Sequence, residues 1–372
     1  MISLEQLQFQ TYGVLGLTFL LATLIGALFH RSHFCTMGAI GDWVIMGEST
    51  RAKQWATAIA VAALGFGLLT WRGQISPLNT IYASPQLSWL SLLLGGFLFG
   101  LGMVLGSGCA SKSLVRLGGG NLKSLVVLMA MGIAALATLR GLTAVWRVNT
   151  LDKVTIGTGP GPFAGQWLAS ATDWGLPLAC FIAAAVVAGL TFIWVFKDRP
   201  SISWPHALSG AAVGALVVGL WWVSGVMGFV PEHPETLEPV FLASASGRME
   251  SMSLTAPVAY WWDALMYFSD GSKKLTLGMV TALGLLLGAW AHASWQGDFR
   301  WEGFKQTEDL VLHLLGGTLM GMGGVLAMGC TIGQGLSGLS TLSFGSFIAM
   351  FGIIGGAVVA LNWQLRRAEA SV

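Results

Sequence analysis

Long apolar stretches recur along this chain of 372 residues, and they decide what it can fold into. A helix needs about 20 mostly apolar residues to cross the hydrocarbon core of a bilayer. Only 10% of the residues are charged, against about 25% in a typical soluble domain, so a soluble globule could not cover its surface. The sequence therefore predicts an all-α integral membrane protein with about nine transmembrane helices, at 12–30, 54–71, 87–106, 124–140, 174–196, 207–230, 275–292, 310–328 and 344–363.

Three further apolar stretches, 34–47, 109–120 and 329–343, are too short to cross a membrane and are rich in Gly, Ser or Thr. Such segments are tolerated at membrane depth only where protein or a water-filled cavity surrounds them. We expect short re-entrant helices there. Lys and Arg are more frequent on the side that follows the first span, which predicts an outside N-terminus and a cytoplasmic C-terminus. The long loop at 231–274 then faces outward.

An internal repeat relates GGFLFGLGMVLGSGC at 95–109 to GGTLMGMGGVLAMGC at 316–330, with nine of fifteen positions identical. The two copies belong to spans of opposite direction, which is typical of an inverted repeat whose interface holds the substrate site of a transporter. We expect a single membrane domain over 1–372, built from inverted halves at about 12–140 and 275–363 and joined by linker spans at 174–230. A weaker match, 26–33 with 288–295, does not invert on this span count.

Cysteines mark the polar turns after the repeated glycines. Cys109 and Cys330 each begin a polar segment, and Cys35 lies in a similar one. A half-helix beginning there would direct backbone N–H groups at an anion, while a soft thiol suits a ligand with an exposed sulfur or selenium atom. We take these cysteines as substrate-path candidates and Cys180, which lies mid-span, as apolar filler. Additional candidate donors to the substrate are Ser107, Ser111, Lys112, Thr331 and Gln334.

Other functions remain open at this point. A membrane sulfurtransferase would use Cys109 or Cys330 as a nucleophile that forms a persulfide. A metal or haem protein would use His30, His33 and His313, but their spacing is not a standard metal signature. We expect no metal and no cofactor. Since no P-loop is present, ATP hydrolysis is not encoded, and the net charge of +2 gives no sign of nucleic-acid binding.

The blocks RSHFCTMGAIGDW (31–43), GGFLFGLGMVLGSGCAS (95–111) and GGTLMGMGGVLAMGCTIGQGLSG (316–338) resemble the YeeE/YedE family of bacterial inner-membrane proteins. The resemblance covers about 12–363. It implies an hourglass-shaped transporter, not an enzyme, that imports thiosulfate or a related inorganic sulfur anion.

The resemblance also implies a path along Cys35, Cys109 and Cys330, which would hold the substrate's terminal sulfur through S–H···S contacts. It implies a small cytoplasmic TusA-like sulfur carrier as partner, and it keeps persulfide or selenium compounds open as alternative substrates. This chain departs from the family pattern at His33 and Gly41, where arginine is usual, and it gains Lys112.

Overall fold

The apolar stretches fold into long helices, as predicted. The structure is a computed structural model that describes residues 4–197, 202–271 and 274–370. Within these ranges, nine helices are long and apolar enough to span a membrane, which confirms the all-α membrane fold. They are α1 (Leu4–Ser32), α3 (Thr50–Trp71), α4 (Trp89–Leu105), α6 (Leu122–Arg140), α9 (Leu176–Lys197), α10 (Trp204–Trp222), α12 (Leu277–Gln296), α13 (Thr307–Leu326) and α14 (Phe344–Ala370).

Short helices occupy the three short apolar stretches. Two are α2 (Thr36–Gly41) and α5 (Ala110–Gly118). The third is a helical segment at 331–340, whose middle, Gly333–Gly338, is a π-helix.

The loops contain more structure than the sequence suggested. They hold α7 (Leu142–Asn149), α8 (Ala164–Thr172) and α11 (Thr255–Met266), together with two short antiparallel ribbons. In the first ribbon β1 (Gln86–Leu87) pairs with β2 (Ile156–Gly157), and in the second β3 (Phe229–Val230) pairs with β4 (Val240–Phe241).

The two copies of the repeat pack directly on each other as antiparallel helices. A Cβ added to Gly102 would lie 2.6 Å from the Gly316 oxygen, and one added to Gly323 would lie 2.6 Å from the Gly95 oxygen. Because Gly95 corresponds to Gly316 and Gly102 to Gly323, these two contacts exchange under a two-fold axis that runs between α4 and α13. The glycines therefore allow the two backbones to touch where the halves meet.

The same two-fold relation extends to the flanking helices. A Cβ on Gly96 or Gly100 of α4 would meet the oxygens of Ala349 or Ile353 in α14. In the corresponding packing of α13 on α6, a Cβ on Gly317 or Gly321 would meet the oxygens of Val127 or Met131.

These contacts also locate an insertion. Equivalent residues are 221 positions apart up to the cysteine turns, as between Gly96 and Gly317, but 222 apart afterwards, as between Val127 and Ala349. A π-helix accommodates one residue more than an α-helix of the same length. The π-helix Gly333–Gly338 therefore absorbs a single-residue insertion in the second half.

The weaker sequence match connects α1 and α12, which lie side by side and parallel. A Cβ on Gly284 would meet the Phe19 oxygen, and one on Gly288 would meet the Thr23 oxygen four residues further along each helix. The matched histidines also meet, since His30 Nδ1 lies 3.1 Å from His292 Nδ1. This match relates neighbouring helices of the same direction, in agreement with the span count.

Candidate functional site

The three candidate cysteines share one local backbone structure. Two residues before each of them, a non-glycine residue adopts a left-handed conformation: His33 has φ 51°, Ser107 57° and Met328 54°. Left-handed residues commonly end helices, because their N–H groups can bond the last free carbonyls. Each spanning helix therefore stops at a sharp turn, and the cysteine that follows sits at the first turn of a short helix.

Each thiol faces the first free amides of the short helix that it precedes. The Gly38 N–H donates to Cys35 Sγ at 3.4 Å, and the Gly333 N–H donates to Cys330 Sγ at the same distance. The Lys112 N–H is directed at the Cys109 thiol in the equivalent position. Because sulfur is a weak acceptor, these amides remain available to a stronger acceptor such as an anion oxygen.

Cys109 is the point where the segments of the two halves converge. Its thiol contacts the Cys35 thiol and the Thr331 side chain, and its sulfur lies 3.2 Å from Ser111 Oγ. Cys35 is 6% exposed, while Cys109 and Thr331 are fully buried. The predicted residues Cys35, Cys109, Ser111 and Thr331 thus form one buried cluster at the interface of the halves.

Cys330 lies in the turn that follows α13, next to Thr331 in the chain and near Cys109. It is fully buried, and the Leu254 N–H also bonds its thiol. The Tyr82 hydroxyl donates to the Gly333 oxygen nearby. Residues 250–254 form a segment without regular secondary structure, and Ser337 Oγ donates to the Met252 oxygen at 2.7 Å. This segment covers Cys330 from the side of the 231–274 loop.

Within the described parts of the chain, two buried hydroxyls beside the cysteines form no hydrogen bond of good geometry. Thr36 Oγ1 follows Cys35 and Thr331 Oγ1 follows Cys330, and neither forms a well-aligned hydrogen bond. Thr36 is 4% exposed and Thr331 is fully buried. Because leaving a buried polar group unpaired costs about 1–3 kcal/mol, an orphaned pair at this position indicates a place for a polar ligand.

The other candidate residues have different surroundings. The Gln334 amide is already used on both sides, since its Nε2 donates to the Ala327 oxygen and its Oε1 accepts from Ser346, each at 2.6 Å. Ser107 is half-buried in the left-handed turn, and its carbonyl accepts from Arg116 Nη1 at 2.8 Å. These contacts give Gln334 and Ser107 a part in shaping the turns.

Positive charge gathers beside Cys35, away from Cys330. Lys112 is half-buried and lies close to both Cys35 and His33. Arg51 packs over Gly38, because a Cβ on that glycine would lie 2.6 Å from Arg51 Nη1. Arg51 also forms an ion pair with Asp42, in which Nε lies 3.3 Å from Oδ2. This end of the cluster therefore favours an anion.

The histidines have local partners. His313 Nδ1 lies 3.0 Å from Asp309 Oδ1, while His30 Nδ1 lies 3.1 Å from His292 Nδ1. In the described ranges there is no group of three or more His, Cys, Asp or Glu residues placed to hold a metal. Cys180 stands apart as well: it lies on α9 and packs against Gly165 of α8.

The family model described as sulphur transport matches residues 31–359, which is most of the chain and includes Cys35, Cys109 and Cys330. The chain belongs to the sulphur-transport family. It is 27% identical to thiosulfate transporter TsuA of Spirochaeta thermophila over 365 residues, covering 94% of this chain and 98% of that protein. It is 26% identical to thiosulfate transporter TsuA of Escherichia coli over 347 residues, covering 91% of each.

A shorter match relates the chain to the probable transporter YedE of Escherichia coli, at 31% identity over 104 residues, which is 27% of this chain and 24% of that protein. The matches to the TsuA proteins, in contrast, run along nearly the whole length of this sulphur-transport family member. The prediction of the family from three short blocks is confirmed.

Sequence reasoning missed Thr36 beside Cys35, and it missed Tyr82, Leu254 and Glu250, which lie near the turn that contains Cys330. Thr36 could have been found, because Cys35-Thr36 repeats the Cys330-Thr331 pair. The other three lie in loops outside the repeat, and nothing in their sequence marks a segment that folds back over Cys330.

Proposed function

We propose that this member of the sulphur-transport family imports thiosulfate, or a closely related inorganic sulfur anion, across the bacterial inner membrane. The N-terminus would lie outside and the C-terminus in the cytoplasm. The anion would pass Cys330 first, then Cys109, then Cys35. The observation that carries this proposal is the buried cluster in which Cys109 contacts Cys35 from one segment and Thr331 from the opposite half.

Desolvation is the main barrier for such a substrate. Moving an ion into a protein interior costs several kcal/mol even after relaxation, and a dianion costs more. Hydrogen bonds to charged groups contribute about 1.5–3 kcal/mol each, so several donors are required at each stage. The N–H groups of Lys112 and Gly333 and the orphaned hydroxyls of Thr36 and Thr331 supply them.

The thiols explain a preference for sulfur-bearing anions over sulfate. A thiol is a soft, polarisable group that contacts an exposed sulfur atom well and an oxygen atom poorly. Two of the three candidate cysteines touch each other, so a terminal sulfur can be passed between them without leaving soft contacts. The positive end near Lys112 then draws the anion toward the cytoplasm.

Uptake of labelled thiosulfate into proteoliposomes tests this function. We expect saturable uptake that unlabelled thiosulfate competes for and an equal concentration of sulfate does not. Uptake equal to that of protein-free liposomes would reject the function. Equal competition by sulfate would reject the role given to the thiols. Competition by a persulfide or a selenium compound would extend the range of substrates.

The direct contact between Cys35 and Cys109 also favours a second candidate, a covalent sulfurtransferase. A cysteine thiolate would attack the outer sulfur of thiosulfate, forming a cysteine persulfide and releasing sulfite. A TusA-like carrier would then accept the sulfur in the cytoplasm. Intact mass after exposure to thiosulfate separates the two: covalent transfer predicts a reductant-sensitive gain of about 32 Da, one sulfur atom, whereas non-covalent passage predicts none.

A further inference from the structure

A cavity of about 270 Å³ lies beside the end of α13 that leads to Cys330. Its walls come from α11, from the segment 250–254 and from the turn at Met328 and Gly329. Gly329 is the residue before Cys330, and Ser253 on the cavity wall would contact a Cβ placed on Gly333. The cavity therefore ends one thin layer of chain away from the outermost cysteine.

The carboxyl group of Glu250 lines this cavity. It accepts a hydrogen bond from the Ala245 N–H at 3.0 Å. The Ser244 hydroxyl, which donates to the Arg248 oxygen at 2.6 Å, lies close to it. In the described ranges no Lys or Arg forms an ion pair with it. An unpaired carboxylate at the mouth of an anion path would repel the anion that the path carries.

Within the described residues, none of the cations around Glu250 forms an ion pair with it. On α7, Arg147 reaches the cavity but is paired with Asp152 at 3.1 Å. On α6, Arg140 is paired with Asp263 of α11 at 3.0 Å. The remaining groups that face this region are Tyr260 of α11, Tyr82 of the loop between α3 and α4, Arg248 of the same loop as Glu250, and Lys274, which lines the adjoining pocket.

We propose that this cavity is the outer binding site for the sulfur anion, and that the anion occupies it together with a proton bound to Glu250. The inference rests on the proposed import function and adds to it. The neutral carboxylic acid no longer repels the anion, and its O–H becomes a donor to an anion oxygen. The proton comes from the outer medium and binds a carboxylate oxygen of Glu250, so the site gains one positive charge for each anion bound.

The position of Glu250 fits a group that changes protonation near neutral pH. Burial raises the pKa of its carboxyl to about 7, although the Ala245 and Ser244 donors act in the opposite direction. A carboxyl with this pKa is mainly neutral at pH 6 and mainly ionised at pH 8. Anion occupancy, and with it uptake, should therefore fall as the outside pH rises through 7.

The test is the initial rate of thiosulfate uptake into proteoliposomes at outside pH 6 and pH 8, for wild type, Glu250→Gln and the matched control Glu238→Gln. Glu238 lies exposed in the same loop. Because the neutral fraction falls about tenfold between these pH values for a pKa of 7, wild type and the control should lose about tenfold. Glu250→Gln, which is permanently neutral, should lose less than twofold.

A wild-type rate that is the same at both pH values would overturn the proposal while leaving the import function intact. An unchanged pH response in Glu250→Gln would overturn it as well. Absence of uptake at every pH would instead reject the import function.

A second measurement uses the wild type alone, in case Glu250→Gln does not fold. Thiosulfate is added to the purified protein in weakly buffered detergent solution at pH 7.5 with a pH indicator. Since thiosulfate itself is not basic at this pH, proton uptake of up to about one per protein supports the proposal. Saturable thiosulfate binding without any proton uptake would reject it.

Discussion

Adding a methyl group at Gly102 or Gly323 tests how closely α4 and α13 pack. In each case the new Cβ would lie 2.6 Å from a carbonyl oxygen of the facing helix. A carbon–oxygen contact needs about 3.3 Å, so the helices would have to separate by about 0.7 Å. Overpacking of this kind costs about 1–3 kcal/mol. Because the two glycines are related by the two-fold axis, we expect similar losses from Gly102→Ala and Gly323→Ala.

Matched controls isolate this packing cost from the higher helix propensity of alanine. Gly16 of α1 has nothing within 4 Å of an added Cβ, and Gly355 of α14 has only a Phe97 ring carbon at 4.0 Å. All four Gly→Ala changes gain up to about 1 kcal/mol of helix propensity. The difference between the test and control variants is therefore the packing term of about 1–3 kcal/mol.

Thermal unfolding in detergent measures the difference, followed by a maleimide dye that reacts with the cysteines once they become exposed. Cys35, Cys109 and Cys330 are buried in the folded protein. At about 2–4 °C per kcal/mol for chains of 150–250 residues, and less for longer ones, the midpoints of both test variants should lie roughly 2–8 °C below those of the controls. Midpoints equal to those of Gly16→Ala and Gly355→Ala would refute the close packing of α4 on α13.

Two further predictions concern Thr331 and Gln334, in the segment that follows Cys330. Thr331→Val removes a hydroxyl without changing the side-chain shape, so uptake of labelled thiosulfate should fall about tenfold while the unfolding midpoint stays constant, because a hydrogen bond to a charged ligand contributes about 1.5–3 kcal/mol. The control Thr318→Val, at an exposed position, should transport normally. Equal uptake rates for the two variants would contradict the role of Thr331. Gln334→Ala removes the amide that bonds Ser346 Oγ and the Ala327 oxygen. The protein should lose about 1–3 kcal/mol of stability, which lowers the unfolding midpoint. An unchanged midpoint with reduced uptake would show that the amide serves the substrate instead.

The spans could be predicted from the sequence because a bilayer imposes a length on apolar helices. The predicted span 344–363 begins at the residue where α14 begins, and 124–140 ends where α6 ends. The span count also placed the two copies of the Gly-Cys repeat in opposite directions, and α4 and α13 do run antiparallel. Glycine at a fixed spacing records close backbone approach. These features depend on local pattern, which a single sequence contains.

The insertion at Gly333–Gly338 could not be predicted, because one extra residue in a Gly-rich segment leaves no periodic signal. The contact between Cys35 and Cys109 was equally hidden, since it joins residues 74 positions apart. The covering of Cys330 by residues 250–254 depends on a loop that carries no repeat. Long-range packing, which the sequence pattern does not encode, therefore determined the details of the site.

The most direct test of the cysteine path compares Cys109→Ala with Cys180→Ala in proteoliposomes that contain equal amounts of folded protein. Cys109 contacts Cys35, Ser111 and Thr331 at the centre of the cluster, whereas Cys180 packs only on α8 within the described contacts of its side chain. The account predicts that Cys109→Ala lowers thiosulfate uptake at least tenfold, the effect of losing about 1.4 kcal/mol at one stage, and that Cys180→Ala transports like wild type. Wild-type uptake by Cys109→Ala would contradict the proposed path.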